Sequence, residues 1–172
     1  ANFEAEAARE HRPVEEVIAD AFAAIPRHTL KLVVIDENSS AMLAATKDLP
    51  TQVVAVPHEP SGYHVTPQAS HFTVRGHDFT LPYPFPRELA VQLGMLEALC
   101  SYLEIDIRDD WSKLTVAPGR NSSLAGIKGT QLIDSSYNAH LLSMRSMIEM
   151  MDEMDAPDKW YVIGDMIEQG KD

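Results

Sequence analysis

Two stretches of this chain carry side chains whose types and spacing fit a reactive site. In Ala117-Pro118-Gly119-Arg120 an arginine follows a Pro-Gly turn, where a planar guanidinium can grip a phosphate through paired N–H donors. In the stretch Asp134 to His140, polar side chains cluster directly after an apolar run, at what reads as the carboxyl end of a strand. Plainer roles fit both: Arg120 as a solvated turn residue, and Asp134 to Asn138 as side chains that cap the next helix. Spacing alone leaves both pairs of readings open.

Other chemistries find less support. Of the seven histidines, none pairs at helical spacing, none has a cysteine partner, and His58, His64, His71 and His77 are scattered over loops and a hairpin. No metal site is expected from them. There is no Gly-x-Ser-x-Gly elbow for a hydrolase triad, and no Gly-x-x-x-x-Gly-Lys-Ser/Thr loop to cradle phosphates. Five methionines between 144 and 154 could form an adaptable binding face, but their helical spacing predicts that most pack as core.

The elements that must position these residues read as an α/β chain. Apolar residues at 14, 17, 18, 21, 22 and 25 share a helical face, opened by Pro13 and ended by Pro26. Leu30 to Ile35 predicts a buried strand, residues 40–47 a helix, and Gln52 to Val56 a second strand. Residues 57–71, with three prolines and a glycine, read as an irregular surface connection. His71 to Val74 and Phe79 to Leu81 flank Arg75-Gly76-His77-Asp78 as a hairpin. A strongly apolar helix over 87–103 is expected at the centre of the first core, then a short helix over 108–114 and a hinge at 117–120. Two short strands around Lys128-Gly129, a helix whose apolar face runs from Leu141 to Met154, and a strand at Trp160 to Ile163 complete the pattern. Strand, helix and strand at these lengths imply a parallel unit, with its ligand at the 134–138 loop and the 164–165 turn.

With 45% hydrophobic and 23% charged residues, 172 residues suffice for one sizeable core or two small ones. Fourteen bases against 26 acids leave a net charge of -12, which repels nucleic acids and anionic membranes at long range. Residues 1–20 and 145–172 hold most of that excess and read as solvated faces. The single Cys100 cannot close an internal disulfide, and no apolar run reaches the length of a membrane span, so a reduced, cytoplasmic chain is expected. Its start at Ala1 suggests a piece of something longer.

At the two candidate stretches the sequence resembles a family. Gly119-Arg120, then Leu132-Ile133-Asp134-Ser135-Ser136-Tyr137-Asn138-Ala139, then Ser143-Met144-Arg145, then Val162-Ile163-Gly164-Asp165-Met166-Ile167-Glu168-Gln169-Gly170 are similar, in order and spacing, to motifs of the Mur ligases. The nearest branch is the one that adds D-alanyl-D-alanine. The likeness is clear over 118–170 and looser over 14–117. It implies that residues 1–118 are the later portion of a central ATPase domain and that 119–172 begin a Rossmann-like C-terminal domain.

The resemblance further implies an ATP- and magnesium-dependent amide ligase of peptidoglycan precursor synthesis. A carboxylate of a UDP-MurNAc-peptide would be phosphorylated, and D-Ala-D-Ala would attack the acyl phosphate. Arg120 matches the family's catalytic arginine at the nucleotide phosphates. Asp134, Ser135, Tyr137 and Asn138 match the adenosine-holding segment, and Asn138 and His140 fall on the amine-substrate side. Departures accompany these matches: Ser135 stands where the family has its ribose-binding acid, His140 where it has an asparagine, and Phe22 near its metal-bridging lysine. Leu81 to Phe85 lack the family's Gly-x-His-Asn, and its phosphate loop and magnesium ligands are not in this chain. The chain alone is therefore expected to be inactive, and a non-catalytic Mur-like binding or scaffolding module is the alternative.

Overall fold

The computed structural model describes residues 3–26, 28–107, 110–137 and 141–165. They form two compact units, Ala1–His58 with Val91–Ile107, and Glu59–Ala90 with Arg108–Asp172.

The first unit opens with helices α1 (Phe3–Glu10) and α2 (Val14–Ala23), and α1 has no counterpart in the sequence expectation. Proline at the position before α2 presets the entry, and Val17 and Ile18 are buried from its predicted apolar face. Strand β1 (Leu32–Asp36), helix α3 (Ser40–Thr46) and strand β2 (Gln52–Val56) follow as expected. β1 and β2 pair in parallel, with Leu32 opposite Gln52 and Asp36 opposite Val56. Ser39 caps α3, its hydroxyl accepting from the Met42 N–H. At the carboxyl ends of the strands, Asp36 Oδ2 lies 2.6 Å from His58 Nδ1.

Helix α4 (Ala90–Tyr102) forms after a single 3-10 turn at Arg87–Leu89. Its expected role as the apolar centre of the core is corrected by the structure. The buried stripe is made of Ala90, Val91, Gly94 and Ala98, whereas Leu96, Leu99 and Leu103 are exposed. A helix apolar all round gives no periodic signal to say which face turns inward.

In the second unit, β3 (Ser61–Val65), β4 (Ser70–Val74) and β5 (His77–Leu81) form an antiparallel sheet in that order. Strand β3 corrects the reading of 57–71 as irregular: its prolines lie outside the strand, and its break in register falls at Gly62, φ +61°. Arg75 and Gly76, both at positive φ, make the two-residue turn between β4 and β5. Val65, Phe72, Val74, Phe79 and Leu81 are buried, and Phe72 stacks on Phe79 and Phe85 at 5.5 and 5.9 Å between ring centroids.

The proline-rich segment 82–86 is stapled to this sheet by polar groups. The fully buried Ser70 hydroxyl donates to Tyr83 O at 3.1 Å and accepts from Phe85 N–H at 2.7 Å. The Tyr63 hydroxyl donates to Phe85 O at 2.6 Å, and burial raises the pKa of its phenol well above the ordinary value.

Strands β6 (Ser122–Ala125) and β7 (Gln131–Asp134) form the second hairpin, antiparallel around Ile127–Gly129. Helix α5 (Leu141–Glu153) then packs on β3: Met150 and, just past the helix, Met154 are buried against Val65, with Met147 and Met151 at the margin, so most methionines are core as expected, but the most buried, Met150, lies off the face expected from spacing and Leu141, on that face, is exposed. Two ion-paired hydrogen bonds from Arg87 to Glu153, at 2.9 and 3.2 Å, and one from Ser146 to Glu88 at 2.7 Å, border this contact. Residues 110–114 are not helical, which corrects that expectation for the part described. Nor does Trp160 to Ile163 form a strand. These residues are exposed, Val162 fully, and the expected parallel unit is absent among the described residues, where β7 pairs with β6 alone.

Candidate functional site

Arg120 follows a closed turn. Arg120 N–H donates to Ala117 O at 3.1 Å, with Pro118 second and Gly119 third at φ +75°, the pattern of a type II turn. Glycine is required at 119 for two reasons. The positive φ disfavours any side chain, and a Cβ there would lie 3.0 Å from Tyr137 Cβ and 3.3 Å from Tyr137 N. That close approach lets Tyr137 N–H donate to Gly119 O at 3.0 Å, so the arginine turn and the 134–137 loop are joined backbone to backbone.

The two candidate stretches, with Arg120 and Asp134 14 residues apart in sequence, thus meet in one cluster. The Arg120 guanidinium lies over the Tyr137 ring, 4.5 Å from its centroid. Ser122 links the two strands further in, its hydroxyl accepting from Gly119 N–H at 3.1 Å and donating to Asp134 O at 3.5 Å. Asp134 Oδ1 accepts the Ser136 N–H at 3.0 Å. Hydrogen bonds from the Ser136 side chain and backbone hold the Asp134 carboxyl below the ordinary aspartate pKa. Ser135 is half-buried beside it. Asn138 and His140 lie outside the described residues.

A groove of about 490 Å³ opens beside this cluster, walled by Tyr83, Val116, Pro118, Ser123, Gln131 and Asp134 among others. Among the described residues no three His, Cys, Asp or Glu side chains gather as a metal site would require.

Sequence reasoning missed Asn121. It is buried, sits at φ +62°, and donates from Nδ2 to Pro84 O at 3.0 Å across 37 residues of sequence. An asparagine after a turn is ordinary punctuation, and nothing local points to so distant a partner. The Asp36–His58 pair was likewise not legible, since Asp36 reads as a capping residue and His58 as a loop histidine.

Comparison with solved structures decides the fold. MurF from Acinetobacter baumannii matches with a TM-score of 0.60 at 16% identity over 81% of this chain, and MurF ligase from Thermotoga maritima in complex with ADP with 0.63 at 14% over 82%. The chain has the fold of the Mur ligases. A second Acinetobacter baumannii structure, UDP-N-acetylmuramoylalanyl-D-glutamyl-2,6-diaminopimelate–D-alanyl-D-alanyl ligase, matches at 0.57 with 15% identity over 81%. The chain spans about a third of these proteins, 32%, 35% and 33% of their lengths. No protein-family model matches the sequence, and no curated protein does. No helix among the described residues is long and apolar enough to cross a membrane.

Proposed function

We propose that this chain supplies the nucleotide-facing part of an ATP-dependent amide ligase acting on a peptidoglycan precursor. The observation that carries the reading is the joined site itself: an arginine held on Tyr137 beside a groove that Asp134 lines, in a Mur-ligase fold. One solved relative of that fold holds ADP. In this reading residues 1–118 belong to a central ATPase domain and 119–172 to a C-terminal domain.

The reaction would be an acyl-phosphate ligation. A carboxylate oxygen of a UDP-MurNAc-peptide takes the terminal phosphoryl group of ATP, releasing ADP; the amine of D-Ala-D-Ala attacks the acyl carbon, loses a proton and expels phosphate. Phosphoryl transfer depends chiefly on positioning and on neutralising charge. Arg120 supplies that charge: its five N–H donors reach phosphate oxygens once it leaves the Tyr137 face. Ser135 offers a hydroxyl to the ribose, and Asp134 holds the loop through Ser136. By the family resemblance Tyr137 and Asn138 would serve the adenosine, and Asn138 and His140 the amine substrate. Magnesium would be held by residues that this chain does not contain.

Calorimetric titration of the chain with ADP tests the nucleotide site. Saturable binding that Arg120→Ala weakens at least tenfold is expected, and equal affinity in the variant overturns the assignment of Arg120. In the whole enzyme, ADP should form only when a UDP-MurNAc-tripeptide and D-Ala-D-Ala are both supplied. A chain that binds ADP in an enzyme that forms none would favour the alternative, a binding or scaffolding module, which Ser135 in place of an acid also favours.

A further inference from the structure

We propose that Asn121 is the positioning residue that sets Arg120 for its phosphate, an inference that rests on the nucleotide-site reading above. Arg120 is exposed, yet both of its neighbours are buried and tied down. On one side Gly119 packs against Tyr137 and its N–H donates to Ser122 Oγ at 3.1 Å. On the other, Asn121 Nδ2 donates to Pro84 O at 3.0 Å, and Pro84 is itself fully buried next to the carbonyls and N–H that Ser70 and Tyr63 hold. The arginine backbone is thus clamped to the sheet of β3, β4 and β5 through one side-chain bond.

The choice of residue supports this role. At φ +62° glycine would be free of strain, whereas asparagine is merely the best tolerated of the side-chain-bearing residues. Asn121 also carries a buried Oδ1 without a hydrogen-bond partner among the described residues, a group that destabilises the fold when left unmade. A residue serving only the turn would carry neither burden. What asparagine adds over glycine is the bond to Pro84, and that bond fixes where Arg120 leaves the backbone. Since an arginine side chain loses much rotamer freedom when it binds, a fixed backbone starting point reduces the ordering required at binding.

The test uses the whole chain, with ADP as probe and a double-mutant cycle. Asn121→Gly keeps the backbone conformation and removes the bond; it should weaken ADP roughly three- to tenfold, the effect of one hydrogen bond. In an Arg120→Ala background the same change should have no further effect, because Asn121 acts through Arg120. Asn121→Asp, which keeps the shape and loses the donor, serves as the second variant with the same arms. Independently of nucleotide, the Nε–H resonance of Arg120 in the free chain should lose the ring-current shift of Tyr137 in either variant. An additive loss in the cycle, or an unmoved Arg120 resonance, overturns the proposal. Should the unaltered chain bind no ADP, the nucleotide reading fails, and the Arg120 resonance alone decides the role of Asn121.

Discussion

Replacing Gly119 by alanine separates two penalties that usually arrive together. Gly119 and Gly76 have nearly the same positive φ, +75° and +79°, but a Cβ on Gly76 meets nothing within 4 Å, whereas one on Gly119 meets Tyr137 Cβ at 3.0 Å and Tyr137 N at 3.3 Å. Gly76→Ala therefore measures the left-handed conformation alone, about 1–2 kcal/mol. Gly119→Ala adds an overpacking term of about 1–3 kcal/mol, because its obstacle is a backbone tied by the bond from Tyr137 N–H to Gly119 O rather than the free end of a side chain. The expected losses are about 1–2 kcal/mol for Gly76→Ala and about 2–5 kcal/mol for Gly119→Ala. Urea denaturation followed by circular dichroism reads both. The Gly119 variant should also lose protection of the Tyr137 amide against hydrogen exchange, with that of β5 retained in both. Equal losses in the two variants would refute the claim that the 134–137 loop is seated on Gly119.

Other consequences follow from particular contacts. Ser70→Ala strands the buried Tyr83 carbonyl and Phe85 N–H and should lower stability by about 2–4 kcal/mol in the same denaturation assay. Arg87→Ala, which removes the Glu153 pair and the stack on Tyr63 at 4.5 Å, should cost about 1–2 kcal/mol; Arg87→Lys should restore less than half, since an ammonium lacks the planar fork. Asp134 should titrate below the ordinary aspartate pKa in carbon-13 spectra, and Ser136→Ala should move it upward. Because its folded pKa is the lower one, its contribution to stability is present above the unfolded value and is lost as pH falls through the folded one. Arg120→Ala should lower stability by no more than about 0.5–1 kcal/mol in the same assay, the worth of the exposed stack on Tyr137 that it removes.

Local patterns were legible where a single face or a single turn decides the conformation. Strands β1 and β2 taken singly, the Arg75-Gly76 hairpin and the Pro118-Gly119 turn follow from spacing and turn chemistry within a dozen residues, whereas the parallel pairing of β1 with β2 joins positions 20 apart. β3 was hidden because glycine and neighbouring prolines carry a loop signal, while the partner that makes it a strand, β4, supplies its hydrogen bonds from outside. The inward face of α4 and the exposure of Trp160 to Ile163 were hidden for the related reason that apolarity reports a wish for burial and not the surface that grants it.

For the candidate site the division is sharper. Residue type and order singled out Arg120 and Asp134 to His140 as candidate stretches and left their plainer roles open, because a guanidinium after a Pro-Gly turn and a polar run after a strand are local features. Tertiary structure alone decided that they meet: a glycine without a side chain admits Tyr137 to within hydrogen-bonding distance, and Arg120 then rests on the ring. It alone, too, decided that Asn121 reaches Pro84 across 37 positions. Contacts of that range depend on chain closure through a folded core, which no window of sequence contains.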